Sequence, residues 1–277
     1  MAISSSLAIR RDLSARNMER ALDYGHELSY GEIPSVVYGA ENGAHGNFIP
    51  ASYRAICAHP AWRKRLEKSY SGGRWIPRPQ ERSRRELDCA NSSDALLMNI
   101  FCYPRVNHRA ALCALLGIDK GLEPVFGFLP RIPLAGGRTD RTEVDMCIGD
   151  LLIEAKLTET GFQTAPLRLL SRYRDAEEVF DLSELTARNG VVFDYQLIRG
   201  VLAAYATNCS FMLLCDVRRV DLMEHWAGTV RAVRSYSFRS RLKLLTWQEI
   251  TPTLPRVLKA FLGEKYGIAP FMPDAIR

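Results

Sequence analysis

The sequence predicts a mixed α/β fold, a β-sheet flanked by helices, with a helical extension ahead of it. Three observations predict it. Short runs rich in β-branched and aliphatic residues, 125–129, 142–148 and 151–157, follow one another with turn residues between them, as the strands of a meander do. Further on, strand-like and helix-like segments alternate, which argues for a sheet covered by helices. The 277 residues are 47% hydrophobic and 25% charged, enough apolar matter for a sizeable core.

Taken in order, residues 1–50 carry scattered glycine, serine and polar residues, and their arginines fall on no clear helical face. Residues 51–69 read as a helix, and 71–85 (SGGRWIPRPQERSRR) as a loop, from its glycines and prolines. A helix then starts at Asn91 or Ser92, a cap candidate, and runs to Phe101, with Pro104 beyond its end. Another covers 107–117 and stops at Gly117. After the three strands, with Gly136-Gly137 as a turn between the first two, a stretch of mixed charge reads as mobile. Helix 193–206, strand 210–215, helix 220–233, strand 242–246 and a helix after Pro255 complete the chain. The expected division is a 1–88 extension and an 89–277 core.

The bulk numbers exclude several classes. Seven cysteines, an odd number with no C-x-x-C pair, suggest neither a disulfide framework nor a zinc cluster, and fit a reducing cytoplasm. No apolar run at the N-terminus reads as a signal peptide. The longest apolar stretch, 201–217, is broken by Thr207, Asn208, Ser210 and Asp216 and is too short to span a membrane. The five histidines show no ligand spacing, and neither a phosphate-binding glycine loop nor G-x-S-x-G occurs. A net charge of +6 leans mildly toward a polyanionic partner.

The chemistry concentrates in residues 141–159, RTEVDMCIGDLLIEAKLTE. Val144, Met146 and Ile148 alternate with Glu143, Asp145 and Cys147. Leu151, Ile153, Ala155 and Leu157 alternate with Leu152, Glu154 and Lys156. Gly149-Asp150 suits a two-residue hairpin turn, which sets Ile148 against Leu151, Asp145 against Glu154 and Glu143 against Lys156. Directly opposed residues have Cβ atoms roughly 4.5–5.5 Å apart. Two carboxylates at that spacing repel unless one is protonated or a cation lies between them. A hard divalent ion, Mg²⁺ or Mn²⁺, answers that need through oxygen ligands. Lys156 would stand beside it to position a water and to stabilise phosphate charge. E-x-K alone also fits a solvated strand face, but here Leu152 and Cys147 share the ionic face, which no plain surface strand would favour.

Asp145 followed by Glu154-Ala155-Lys156 after a turn resembles the signature of the PD-(D/E)XK nuclease superfamily, the restriction-endonuclease-like fold, over about 90–250. The resemblance implies that Asp145 and Glu154 bind one or two Mg²⁺ ions, that the Ala155 carbonyl completes the shell and that Lys156 activates the water. It implies a further acid from the preceding helix, for which Asp94 is the first candidate and Glu86 the second. It also implies a glutamine from the following helix, matched by Gln196. Val144 stands where the family has a proline. The stretch SSDALLMNIF resembles a group of bacterial restriction endonucleases within the superfamily.

Residues 63–85 hold nine cations, Arg63, Lys64, Arg65, Lys68, Arg74, Arg78, Arg82, Arg84 and Arg85, against Glu67 and Glu81. The excess of seven, with Tyr70 and Trp75 interleaved, could track a phosphate backbone, or be a solvated loop. A second cluster, Arg231, Arg234, Arg239, Arg241 and Lys243, is a weaker candidate. The expected partner is DNA, with RNA left open. A homodimer is compatible with cutting both strands, and no membrane is expected. The rival readings are a catalytically silent nucleic-acid-binding protein on the same fold and a phosphoesterase acting on small phosphates.

Overall fold

The computed structural model describes residues 5–29, 32–69 and 85–270. The predicted loop therefore lies outside the described residues except for Arg85, and so do Arg74, Arg78, Arg82 and Arg84. Among the described residues no helix is long and apolar enough to cross a membrane.

A five-stranded sheet organises the chain. Its strands are β1 (Val125–Phe128), β2 (Val144–Ile148), β3 (Leu151–Ala155), β4 (Ser210–Cys215) and β5 (Leu242–Thr246), in the spatial order β5-β4-β3-β2-β1. The meander β1-β2-β3 is antiparallel, while β3, β4 and β5 run parallel. Parallel neighbours need long crossovers, and helices supply them: α6 (Tyr195–Thr207) before β4 and α7 (Val220–Arg231) before β5. The predicted hairpin is present in the predicted register, Ile148↔Leu151 through Met146↔Ile153, with Gly149 at φ 59° in its turn. Gly136 and Gly137 likewise turn a small ribbon, Ile132–Pro133 against Thr139–Asp140.

Both faces of the sheet are covered, which is why every residue of β3 is buried. On one face Leu152, Phe211, Leu213 and Cys215 pack with Leu197, Val201, Leu222 and Trp226 of α6 and α7. On the other, Met146, Ile148, Leu151, Ile153, Met212 and Leu214 meet four further helices. These are α1 (Ser5–Ala21), α4 (Ser93–Phe101), α5 (Ala110–Leu116) and α8 (Arg256–Tyr266). Val144 packs with the first cluster, away from Met146 and Ile148, because the strand leaves its regular pairing just there.

The helical extension expected ahead of the sheet includes a long helix, α1, whose buried stripe Ile9, Leu13, Asn17 and Ala21 is one residue per turn and partly polar. Two expectations need correction. Residues 51–69 are not one helix. The segment breaks into α2 (Pro50–Ala58) and α3 (Pro60–Arg65), because His59 adopts an extended backbone ahead of Pro60. The stretch read as mobile is ordered by Leu170, Tyr173, Val179, Phe180 and Leu185, all buried in the first cluster. Helix α4 begins as expected, with Ser92 Oγ accepting the Ala95 N–H, and all nine of its residues are buried.

Candidate active site

The pairing of β2 with β3 ends at Met146↔Ile153, while β2 continues beside β1 to Phe128↔Val144. At this fork the two strands part, and a side chain takes over from the backbone. Asp145 Oδ2 accepts the Ala155 N–H at 2.8 Å. The other edge of β3 stays fixed: the Lys156 N–H donates to the Leu214 carbonyl at 2.8 Å, and Trp247 Nε1 donates to the Lys156 carbonyl at 3.0 Å. In an extended strand a residue's N–H and C=O face the same edge, so the Ala155 carbonyl faces the Asp145 side.

Glu154 and Lys156 point to the face that carries α6 and are almost wholly buried, at 2% and 6% exposure. Glu154 Oε1 accepts from Lys156 Nζ at 2.7 Å and from Gln196 Nε2 at 2.5 Å. Gln196 reaches so far because α6 lies tight on the sheet. One turn further along, a Cβ added to Gly200 would run into the Phe211 ring of β4, so only glycine allows that approach. Lys156 Nζ also lies over the Phe162 ring, 5.8 Å from its centre.

Charge is out of balance here. Burial first, then the charges of Glu154 and Asp94, push the Asp145 carboxyl well above the ordinary carboxylate range, and Lys156 and the Ala155 N–H only partly oppose them. For Lys156, burial pulls the ammonium down, but Glu154, Glu159 and Asp145 outweigh it and leave it above the usual lysine range. One lysine faces several acids, so the site accommodates more positive charge. Asp145 Oδ1 and Glu154 Oε2 accept no hydrogen bond from any described residue. Among the described residues no three His, Cys, Asp or Glu side chains converge as a metal centre. A cation would rest on these two oxygens, the Ala155 carbonyl and water, a donor set that suits a hard divalent ion.

The other predicted residues fall into place differently. Asp94, 5% exposed at the start of α4, accepts on Oδ2 from both Arg65 Nη2 (2.8 Å) and Lys68 Nζ (2.9 Å). Glu143 does not face Lys156. Its Oε1 binds Arg65 Nη1 at 3.0 Å and Lys68 Nζ at 3.2 Å, because β2 has left β3 before that position. Glu86 lies beside Lys68 at 3.6 Å, and burial raises its carboxyl. Arg65 and Lys68 thus tie the end of α3 and the segment after it to the edge of the site, and Arg85 pairs with Glu67. Arg63 and Lys64 are exposed. The second basic cluster is engaged with the fold: Arg239 holds the Val233 and Arg231 carbonyls, Arg241 the Cys209 carbonyl and Lys243 the Leu116 carbonyl.

Reading the residues alone missed Glu159. Its Oε2 accepts the Leu157 N–H and its Oε1 the Ser93 hydroxyl, each at 2.6 Å, clamping the end of β3 to the start of α4. Nothing in its spacing singles it out, since it acts through a loop rather than a strand face.

Helices on both faces of a mixed sheet, with the acid–lysine pair on a central strand, make this a restriction-endonuclease-like protein. The family model described as "Restriction Endonuclease associating with ARP" matches residues 19–267, all but the two ends, and the chain belongs to that family. No curated protein and no solved structure is detectably similar to it.

Proposed function

We propose that the chain is a metal-dependent endonuclease of the PD-(D/E)XK type that hydrolyses phosphodiester bonds in DNA. Family membership supports nuclease activity in general. The observation that carries the finer reading is the Glu154 carboxylate, held from two sides by Lys156 and Gln196, beside an Asp145 carboxyl anchored on the Ala155 N–H. Asp145, Glu154 and the Ala155 carbonyl would hold Mg²⁺ or Mn²⁺, which when bound polarises the phosphate and lowers the pKa of water. Asp94 has only its Oδ1 to add, since Oδ2 serves Arg65 and Lys68.

The chain's own groups do the rest. Lys156 keeps its charge against the carboxylates, so it acts as a donor that orients the attacking water and stabilises charge on the phosphate. Gln196 fixes the Glu154 carboxylate and leaves Oε2 free. The close packing of α6 on β4 at Gly200 keeps that amide in reach. Incubation with supercoiled plasmid in Mg²⁺ or Mn²⁺, against a chelator control, tests the reading. Nicking that depends on the cation supports it, and intact plasmid under every cation removes it.

A further inference from the structure

Arginines that lie far apart in the sequence are carried on segments that the backbone joins to one another. The Ile132–Asp140 ribbon is joined to the next segment by a Leu134↔Tyr173 bridge and by the Ala135 N–H on the Arg172 carbonyl at 2.7 Å. That segment is joined in turn to a three-stranded patch, Ala165–Pro166, Ala187–Arg188 and Val191–Val192, with the Leu167 N–H on the Gly190 carbonyl at 2.8 Å. Arg131, Arg138, Arg141, Arg168, Arg172 and Arg188 lie on this connected backbone, and all are exposed. Among the described residues none of their side chains makes an ion pair or a hydrogen bond. The contrast with Arg239 and Arg241, which bind carbonyls of the fold, is direct.

Over 131–142, 163–174 and 187–192 the only acid is Asp140, and the acids that flank these windows, Glu143 and Asp175, are already held by Arg65 and Arg174. The Asp140 carboxylate is half-buried, and despite burial its bonds from Thr142 and Tyr173 hold it below the usual range. Exposed arginines on joined segments without their own counter-charge favour a polyanion, which releases its counterions on binding.

The ribbon is also fastened to the catalytic helix. Tyr173 and Tyr195 share a hydroxyl contact at 2.9 Å, Arg199 Nη1 donates to Thr142 Oγ1 at 2.8 Å, and the Tyr195 N–H donates to the Gln163 carbonyl at 3.1 Å. Gln196, the next residue, holds Glu154. Chain bound along the ribbon would therefore run past the site.

We propose that this arginine ribbon binds the phosphate backbone of DNA and delivers it to the Asp145–Glu154 site. The delivery clause rests on the nuclease reading, whereas the binding clause does not. The test is fluorescence anisotropy of a labelled DNA duplex across a salt series, in chelator and again with Ca²⁺. The triple variant Arg131→Gln/Arg141→Gln/Arg172→Gln is set beside a charge-matched control, Arg10→Gln/Arg54→Gln/Arg256→Gln, whose exposed arginines lie elsewhere. The ribbon triple is expected to bind about tenfold or more weaker, with the slope of log K against log salt shallower by about 0.9 per lost contact, and the control to bind as the parent. Circular dichroism melts should match the parent's, since these side chains hold nothing in the fold. Equal affinity and slope for the two triples would overturn the proposal, as would a parent that binds no DNA at any salt. Ribbon-dependent binding by a parent that cuts nothing would retain the ribbon and discard the nuclease. Cutting by a parent whose ribbon triple binds equally would do the reverse.

Discussion

Asp145 accepts the Ala155 N–H at 2.8 Å at the point where the two central strands separate. A carboxylate replaces a strand in the ladder, and on the proposed reading this fork is where a cation would sit. Its charge is set against Glu154 and Asp94 as well as against burial, so the site is strained in favour of whatever neutralises it.

Divalent cation should therefore raise the thermal midpoint of the parent protein by mass action on the folded state. Asp145→Asn should melt higher than the parent in chelator, because one crowded carboxylate is gone, and should lose the response to Mg²⁺ or Mn²⁺. Differential scanning fluorimetry reads both. A variant that melts lower in chelator and still responds to cation would contradict the assignment of Asp145.

On the proposed reading Gln196, bonded to Glu154, acts through that carboxylate and not on substrate. Gln196→Ala should lower cleavage about tenfold to a hundredfold, the usual range for a residue that orients a metal ligand. The melt should move little. Raising the Mn²⁺ concentration should recover part of the loss if the defect is in cation affinity, and a fall in cleavage that no cation concentration touches would point to another role.

At Gly200 the helix lies directly against the Phe211 ring of the sheet. Gly200→Ala should destabilise the protein by about 1–3 kcal/mol, since a methyl group has no room against Phe211. It should also reduce activity, by moving Gln196 away from Glu154. Urea midpoints and plasmid cleavage test the two halves, and a variant of parental stability would show that the ring yields.

Lys265 is fully buried, with Nζ on the Asn17 Oδ1 at 2.9 Å and the Ala90 carbonyl at 3.2 Å, 4.2 Å from the centre of the Tyr266 ring. Burial, aided by the charge of Arg20, pulls its ammonium well below 10.5. Between the lowered folded value and the unfolded one, the unfolded chain carries a proton that the folded chain lacks. Stability should therefore rise with pH across that window, up to about 10.4. Lys265→Met should flatten that rise in urea midpoints taken at increasing pH, and an unchanged slope would mean that the ammonium stays charged when buried.

The hairpin was legible because two local rules agree on it. The alternation of 143–148 and 151–157 sets the faces, and Gly149-Asp150 sets the register. Gln196 was legible by resemblance alone, and its contact depends on Gly200, which carries no signal without Phe211 opposite it. The ion pairs of Asp94 with Arg65 and Lys68 join residues 29 and 26 positions apart, beyond any local period. Helix α1 was hidden by its narrow stripe, in which Asn17 stands where an apolar residue would have announced the face. The break at His59 was in the text of the sequence as Pro60, whereas the parting of β2 from β3 after Met146 was not.

The most direct measurement is plasmid cleavage by the parent beside Glu154→Gln, in Mg²⁺ and in Mn²⁺, with melts to show that both are folded. Nicked or linear DNA is expected from the parent alone, abolished by chelator. Equal cleavage by Glu154→Gln would place the chemistry elsewhere in the chain, and none from the folded parent in either cation would contradict the hydrolytic site.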